Sequence, residues 1–253
     1  MILRRLGNKQ KIAKQIQAYF PPHKIYIEPF FGAGGMFFNK PKAKYNIVND
    51  LDSDVFNLFQ VVMNNKEELE KAFYIMPIHS DLLEYWKHHL ETEPIKKALR
   101  FLLLSNCTLL GKQDTLFNGA ENPKEIVLKS LKPTFEKLNN VQFFNKDFKK
   151  FLNLLRDKNS CDSFVYNDSP YLKTVDTYSN SDTWTEQDSF DLFEANQNTG
   201  CKWAMSEFNH PFILKQAKER NLNVITIGER QNLKNRRTEI LITNYKDPQM
   251  KLF

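Results

Sequence analysis

Tyr26-Ile-Glu-Pro-Phe-Phe-Gly-Ala-Gly-Gly35 is the stretch of sequence that decides the fold. Ile25 to Ile27 is a short β-prone run closed by Glu28-Pro29, and a turn dense in glycine leads into Met36-Phe37-Phe38. This succession predicts a buried strand, a tight turn and the start of a helix, which is the first half of a nucleotide-binding α/β unit. We expect the helix to begin at Met36 and to be closed by Pro41, and the chain to form an α/β fold.

A second stretch, Phe164-Val-Tyr-Asn-Asp-Ser-Pro-Tyr171, also predicts a buried strand that ends in a turn. The strand delivers Asp168, and Ser169-Pro170-Tyr171 follows directly. An acidic side chain, a proline-stiffened turn and an aromatic ring suit a site that holds a planar base with an amino group. Asp168 has a second interpretation as a simple turn former, because Asp-Ser-Pro is a common turn sequence.

Four segments of the chain resemble motifs of the Dam-type adenine-specific DNA methyltransferases, and they occur in the family's order. Glu28–Gly34 resembles the glycine-rich S-adenosylmethionine motif, and Leu6–Lys9 resembles the Gly-Gly-Lys segment. Asn167–Tyr171 resembles the catalytic Asp-Pro-Pro-Tyr motif, with serine at the second position. Thr238–Tyr245 resembles the last strand. The set is specific, whereas any one match alone would be weak.

Residues 54–138 differ in character from the rest of the chain. Apolar residues recur there at helical spacing, as in Leu82-Leu83-Tyr85-Trp86, and the stretch is too long for one crossover between strands. With the resemblance, this predicts a Rossmann-like class I methyltransferase sheet, the catalytic domain, formed by residues 1–53 and 139–253. Residues 54–138 are expected to form an inserted, mainly helical target-recognition domain.

Composition restricts the class of protein further. The 253 residues carry a net charge of +6, which indicates either a lysine-rich surface or a polyanionic partner. The three cysteines are widely spaced and predict neither a metal site nor a disulfide framework. The longest apolar run, near Phe101–Leu104, is far too short to span a membrane. We expect a soluble cytoplasmic protein that binds no metal and no membrane.

The resemblance implies S-adenosylmethionine as cofactor. Asp50 follows the predicted strand Tyr45–Val48, at the position where a carboxylate holds the ribose hydroxyls, although it could instead cap the next helix. Asp147 lies where the family contacts the adenine ring, and a helix N-cap is an equally open interpretation. The expected cofactor-binding residues are Gly7, Lys9, Glu28, Pro29, Phe30, Gly32, Gly34, Asp50, Asp147, Phe148 and Asp168.

Two loops are candidates for contacting DNA. Gly111–Gly119, with Lys112 and Asn118, is the most loop-like part of the insertion and is either a DNA contact or an ordinary surface loop. Glu229–Arg237 is expected to be a basic loop between two strands, with Lys234, Arg236 and Arg237 facing phosphate. The Phe-Asn-x-Pro-x-Gly run of the Dam branch is absent, so the resemblance does not extend to a GATC recognition sequence.

Asp168, Ser169, Pro170 and Tyr171 are the expected catalytic residues. The amine of adenine is a poor nucleophile because its lone pair is delocalised into the ring. The Asp168 carboxylate and the Ser169 carbonyl would accept its two hydrogens and turn the lone pair toward a methyl group, with Pro170 fixing the turn. Stacking on Tyr171 would contribute about 1–3 kcal/mol. The base must leave the duplex to reach such a pocket.

Other functions remain open at this stage. A nicotinamide-dependent dehydrogenase predicts Gly-x-Gly-x-x-Gly, but the third glycine position, counted from Gly32, is Phe37. A DNA-binding relative without activity, a cytosine-amine methyltransferase and an RNA adenine methyltransferase are further alternatives. The partners expected from the main hypothesis are double-stranded DNA and a companion restriction endonuclease.

Overall fold

A computed structural model describes residues 2–3, 9–109, 115–116, 122–155, 162–172, 184–231 and 236–246. Seven strands form one sheet: β1 (Ile25–Glu28), β2 (Tyr45–Asn49), β3 (Val141–Phe144), β4 (Ser163–Asn167), β5 (Lys202–Phe208), β6 (Asn223–Gln231) and β7 (Arg236–Thr243). Their order in the sheet is β3-β2-β1-β4-β5-β7-β6. β1 pairs in parallel with β2 and β4, and β4 with β5, whereas β7 is antiparallel to both β5 and β6. This is the Rossmann-like methyltransferase sheet that the sequence predicts.

The helices are α1 (Ala13–Gln17), α2 (Ser53–Asn64), α3 (Lys66–Ile75), α4 (Ser80–His88), α5 (Pro94–Asn106), α6 (Pro123–Leu138), α7 (Phe148–Asn153), α8 (Glu186–Asn198) and α9 (Pro211–Glu219). Local sequence sets several of their starts. α5, α6 and α9 begin with a proline that follows the capping residues Glu93, Asn122 and His210. Thr185 and Asp188 form a reciprocal capping box at the start of α8.

The described chain forms two compact units. The first comprises Met1–Lys11, Gly32–Asn39 and Asp52–Asn145. Within it, α2 packs on α5, and the buried apolar face of α2 includes Leu58 and Phe59. The described part of residues 54–138 contains α3 to α6 and all of α2 except its first residue, Ser53, as the periodicity predicts. Whether this stretch is a separate recognition domain stays a prediction.

The second unit comprises Ile12–Phe31, Lys40–Leu51 and Lys146–Phe253. It carries β1, β2 and β4 to β7, together with α1 and α7 to α9. All five residues of β4 are buried, and so are six of the seven in β5, because central strands of a sheet are covered on both faces. β1 is in register with both of its neighbours, with Ile27 opposite Ile47 and Val165.

Two local predictions were wrong. The helix expected from Met36 is only a 3₁₀ turn, Phe37–Asn39, because too few residues separate the glycines from Pro41 to complete an α-helical nucleus. The Asn39 side chain instead donates to the Gly35 carbonyl at 2.8 Å. The basic loop expected at 229–237 is largely strand, since β6 continues to Gln231 and β7 begins at Arg236.

Two further findings concern the described residues as a set. In that part of the chain, no helix is both long and apolar enough to cross a membrane. The same residues contain no group of three or more histidine, cysteine, aspartate or glutamate side chains placed to hold a metal ion. Cys107 and Cys201 are buried and form no disulfide with each other.

Candidate active site

The site lies at the carboxyl ends of β1, β2 and β4. From β1 the chain continues to β2 on one side, and β4 lies on the other side of β1, so the strand order reverses between β1 and β4. Ligands of open α/β sheets bind outside the carboxyl ends of the strands at this point of reversal. Glu28-Pro29-Phe30, Asn49-Asp50 and Asp168-Ser169-Pro170-Tyr171 all follow or end these strands.

The turn after β4 is held at its far end by Tyr171. Asp168 is half-buried at the start of the turn, whereas Ser169 and Tyr171 are buried. The Tyr171 hydroxyl donates to Glu239 Oε1 at 2.6 Å, and its ring meets that of Phe208 edge-on, with centroids 4.7 Å apart and planes at 87°. Burial raises the pKa of Tyr171 well above its usual range, and the charges of Asp168 and Glu239 act in the same direction. The hydroxyl therefore stays protonated and serves as a donor.

The end of β4 is anchored by two polar side chains that point away from solvent. The Tyr166 hydroxyl lies 2.8 Å from Ser206 Oγ of β5. Asn167 is fully buried and donates from Nδ2 to Asn196 Oδ1 of α8 at 2.9 Å. Because Asn167 immediately precedes Asp168, this bond fixes where the turn begins.

Asn49 ties together the loops that follow three strands, a role that the sequence analysis missed. Its Nδ2 donates to the carbonyls of Pro29, at 3.0 Å, and Lys146, at 2.9 Å, and its Oδ1 accepts from the Lys146 backbone N–H at 3.0 Å. Its backbone carbonyl accepts from the Phe31 N–H at 2.9 Å. The only signal in the sequence is an amide side chain at the end of an apolar strand, directly before Asp50.

Glu28 is buried at the end of β1 and is hydrogen-bonded within its own strand. The Tyr26 hydroxyl donates to Glu28 Oε2 at 2.8 Å, and Lys40 Nζ lies 4.0 Å from the centre of the Tyr26 ring. Burial raises the pKa of the Glu28 carboxyl well above its usual range. The Tyr26 hydrogen bond and Lys40 oppose this shift, whereas the charges of Asp168 and Asp50 add to it. Glu28 is therefore sensitive to the charge of the other carboxylates at this edge.

The two aspartates with alternative capping roles differ in outcome. The cap of α2 is Asp52, whose Oδ1 accepts from the Asp54 N–H at 2.9 Å, so the capping role does not fall to Asp50. Asp50 is 9% exposed at the end of β2. Asp147 does cap a helix: its Oδ1 accepts from the backbone N–H groups of residues 149 and 150, at 3.0 and 3.4 Å.

Three aromatic rings cluster beside these loops. The centroid of Phe30 lies 5.5 Å from that of Phe148 and 5.8 Å from that of Trp184, and the Phe148 and Trp184 centroids are 5.6 Å apart. Trp184 Nε1 donates to Ser189 Oγ at 2.9 Å. Phe30 and Phe148 were both expected in the cofactor site, whereas Trp184 was not among the expected cofactor-binding residues.

The expected cofactor residues of the first compact unit have their own local structure. Gly32 and Gly34 adopt left-handed backbone conformations with φ of 52° and 71°. A Cβ atom added at Gly32 would meet no heavy atom of the described residues within 4 Å. Lys9 is buried, at 2% exposure. Gly7 lies outside the described residues.

Of the residues expected to contact DNA, the structure places two. Arg236 begins β7, and the Arg237 guanidinium lies 5.4 Å from the centre of the Phe208 ring, the ring that also packs on Tyr171. Lys112, Asn118 and Lys234 lie outside the described residues.

The sheet and the turn at its point of reversal define the class, a Rossmann-like methyltransferase. Comparison with known proteins gives the family. The D12 class N6 adenine-specific DNA methyltransferase family matches residues 6–238. The chain belongs to this family, and it is therefore an S-adenosylmethionine-dependent enzyme that methylates adenine in DNA. The resemblance to Dam-type enzymes is confirmed.

Two relatives match over nearly the whole chain, and a third matches over two thirds of it. The Type II methyltransferase M1.LlaDCHI of Lactococcus lactis subsp. cremoris is 24% identical over 270 residues, which cover 94% of this chain and 93% of the relative. The Type II methyltransferase M.MjaIII of Methanocaldococcus jannaschii is 24% identical, covering 96% of this chain and 98% of the relative. A DNA adenine methylase of Haemophilus influenzae is 30% identical, covering 67% and 63%.

Proposed function

We propose that the turn Asp168-Ser169-Pro170-Tyr171 transfers a methyl group to the exocyclic amine of an adenine flipped out of double-stranded DNA. The observation that carries this proposal is the fixation of the turn at both ends. Asn167 is bonded to α8 before the turn, and Tyr171 is bonded to β7 at its end. Rigid placement of polar groups is what such a reaction requires, since preorganised acceptors need no rearrangement during transfer.

Asp168, Ser169 and Pro170 have separate tasks in the turn. The carboxylate of Asp168 and the backbone carbonyl of Ser169 each accept a hydrogen bond from one N–H of the amine, which directs its lone pair out of the plane of the base. Pro170 restricts the backbone so that the carbonyl keeps its direction. Serine in place of the usual proline at 169 preserves that carbonyl. Bound S-adenosylmethionine supplies the methyl group, activated on a sulfonium.

The residues of the second unit have the chemistry that S-adenosylmethionine needs. The Asp50 carboxylate suits the ribose hydroxyls, and Phe30 and Phe148 offer aromatic surface for the adenine ring. Glu28 contributes a buried carboxyl group at the end of β1, and Asp168 lies beside it at the end of β4. Asp147 contributes to the cofactor site indirectly, because it caps α7 and so orients this helix and Phe148. The roles of Pro29, Gly7, Lys9, Gly32 and Gly34 in cofactor binding stay predictions from the resemblance.

We further propose a division of labour along the chain. Residues 1–53 and 139–253 form the catalytic domain, and residues 54–138 form the target-recognition insertion, with Lys112 and Asn118 toward DNA. Lys234, Arg236 and Arg237 contact phosphate. Two relatives are named as Type II methyltransferases, which supports a companion restriction endonuclease for this enzyme. The cytoplasm is the proposed location.

Methyl transfer from labelled S-adenosylmethionine to duplex DNA, followed by mass spectrometry of the nucleosides, tests the proposal. We expect N6-methyladenine from the native enzyme. Asp168→Ala should lose about a hundred- to thousandfold in single-turnover rate, because one preorganised partner of the amine is gone, while cofactor binding persists. Near-normal turnover by this variant would remove Asp168 from the mechanism. Methylcytosine as the product, or a preference for RNA, would refute the assigned substrate.

A further inference from the structure

We propose that Glu239 and Glu207, two buried glutamates on neighbouring strands, are positioning residues that clamp the exit of the catalytic turn. The inference rests on the proposed function of that turn. Glu239 holds the side chain of Tyr171, and Glu207 holds the backbone of the residue that follows it. Neither glutamate is needed to touch the base or the cofactor.

Glu239 holds Tyr171 together with Phe208, the residue with which Glu239 pairs in the sheet. On β7, Glu239 stands directly opposite Phe208 of β5. Its carboxylate accepts the Tyr171 hydroxyl bond while the Phe208 ring packs edge-on against the tyrosine ring. A bond at the hydroxyl and a contact at the ring together fix both the direction and the rotation of Tyr171. One cross-strand pair therefore sets the orientation of this aromatic side chain.

Glu207 acts on the main chain. Its Oε2 accepts from the Leu172 N–H at 3.2 Å, and its Oε1 accepts from the Phe208 N–H at 2.7 Å. The first bond fixes the peptide between Tyr171 and Leu172, and the second locks the glutamate to its own strand. Two carboxylates thus hold the turn from two strands, one through a side chain and one through the backbone.

Because both glutamates are buried, an arrangement without a role would lower the stability of the fold. Glu207 and Glu239 are 1% and 2% exposed. A carboxylate removed from water is destabilising unless it is well hydrogen-bonded, so a sheet stabilised by packing alone would favour apolar residues at these positions. A carboxylate can only accept, which forces the Tyr171 hydroxyl to donate and gives the bond a single polarity. These features suit orientation of a catalytic group.

The test compares kcat with KM in four variants. Glu239→Ala should lower kcat about ten- to a hundredfold, the scale expected from small misplacement of a reacting group, with KM for S-adenosylmethionine unchanged. Glu239→Gln keeps an acceptor oxygen and should restore most of the rate. Tyr171→Phe should lose a comparable factor, and Tyr171→Phe with Glu239→Ala should lose no more than either single variant, because both act through one bond.

Asn244→Ala is the matched control. Asn244 follows β7 and bonds the backbone at the other end of β5, accepting from the Trp203 N–H at 2.8 Å. It should lower the melting temperature and leave kcat unchanged. Glu207→Gln, which retains one acceptor oxygen, should lower kcat less than Glu207→Ala.

Three results would overturn the inference: an unchanged kcat in Glu239→Ala, multiplicative losses in the double variant, or a kcat loss in Asn244→Ala equal to that in Glu239→Ala. If an alanine variant does not fold, the kcat and KM values of Glu239→Gln and Tyr171→Phe decide the question by the same comparison. Failure of the native enzyme to produce N6-methyladenine would instead refute the proposed function.

Discussion

Replacement of Asn49 by alanine should weaken cofactor binding by disconnecting two loops, although Asn49 itself need not touch the cofactor. The side chain makes three hydrogen bonds, one to Pro29 and two to Lys146. The Pro29 bond is buried, so its carbonyl is left unsatisfied at a cost of about 1–3 kcal/mol. The Lys146 groups are nearer to solvent and should cost about 0.5–1 kcal/mol each. We expect the free energy of unfolding to fall by about 2–5 kcal/mol.

The loss of affinity for the cofactor should be larger than the loss of stability alone explains. Pro29 precedes Phe30, and Lys146 is followed by Asp147 and Phe148, so the amide holds the two proposed aromatic walls of the site at a fixed separation. Without it, we expect the affinity for S-adenosylmethionine to fall about tenfold, which corresponds to about 1.4 kcal/mol. Urea unfolding measures the first quantity, and titration calorimetry with S-adenosylmethionine measures the second.

Asn46→Ala provides a matched control on the same strand. Asn46 is buried like Asn49, but it lies near the start of β2, and among the described residues its side chain bonds Ala43. Its Nδ2 donates to the Ala43 carbonyl at 2.8 Å, and its Oδ1 accepts from the Ala43 N–H at 3.3 Å. Its replacement should reduce stability and leave cofactor affinity intact. Equal cofactor affinities in the Asn46→Ala and Asn49→Ala variants would refute the reasoning.

Three further predictions concern the catalytic turn, the buried Glu28 carboxyl group and Arg237. Ser169→Pro should keep or raise activity, because the carbonyl remains and the turn stiffens; an inactive but folded variant in single-turnover assays would give the serine its own role. Because burial raises the pKa of Glu28, the folded state binds more protons, so stability is lost as pH rises from about 4.5 through the raised value. Glu28→Gln has no carboxyl group to ionise at this position, so its stability relative to the native enzyme should increase with pH, as measured by urea unfolding. A stability difference between the two proteins that does not change with pH would contradict this prediction. Arg237→Ala should reduce the log–log salt slope of DNA binding by about one unit, and an unchanged slope would place the phosphate contact elsewhere.

The features that were predicted best from the sequence are those that depend on short-range patterns of residues. β1, β2 and β4 are brief apolar runs ended by proline or acidic residues, and this pattern is enough to locate a strand and the edge where its loops meet. Residues 229–237 show the limit of the same method. Charged residues at Glu229 and Arg237 indicated a loop. Both instead lie in the part of the β6–β7 ladder that continues past the last residue pair of β5 with β7, at the open edge of the sheet, where charge is tolerated.

The residues that support the site escaped prediction because their partners are remote in sequence. Asn49 bonds Lys146, 97 residues away, and Tyr171 bonds Glu239, 68 residues away. Nothing in local periodicity connects such positions, since the pairing depends on strand order and register. The resemblance identified the turn itself, whereas the side chains that hold it follow only from the folded sheet.

The place of β7 in the sheet has a consequence for biosynthesis. β7 inserts between β5 and β6, so the β5 edge stays unpaired until residues 236–243 have left the ribosome. Glu239, which holds Tyr171, arrives with that strand. Non-local pairing of this kind is slow compared with local helix formation. A nascent chain that stops before β7 should therefore lack an oriented tyrosine, and methylation activity should appear only after this last strand has docked.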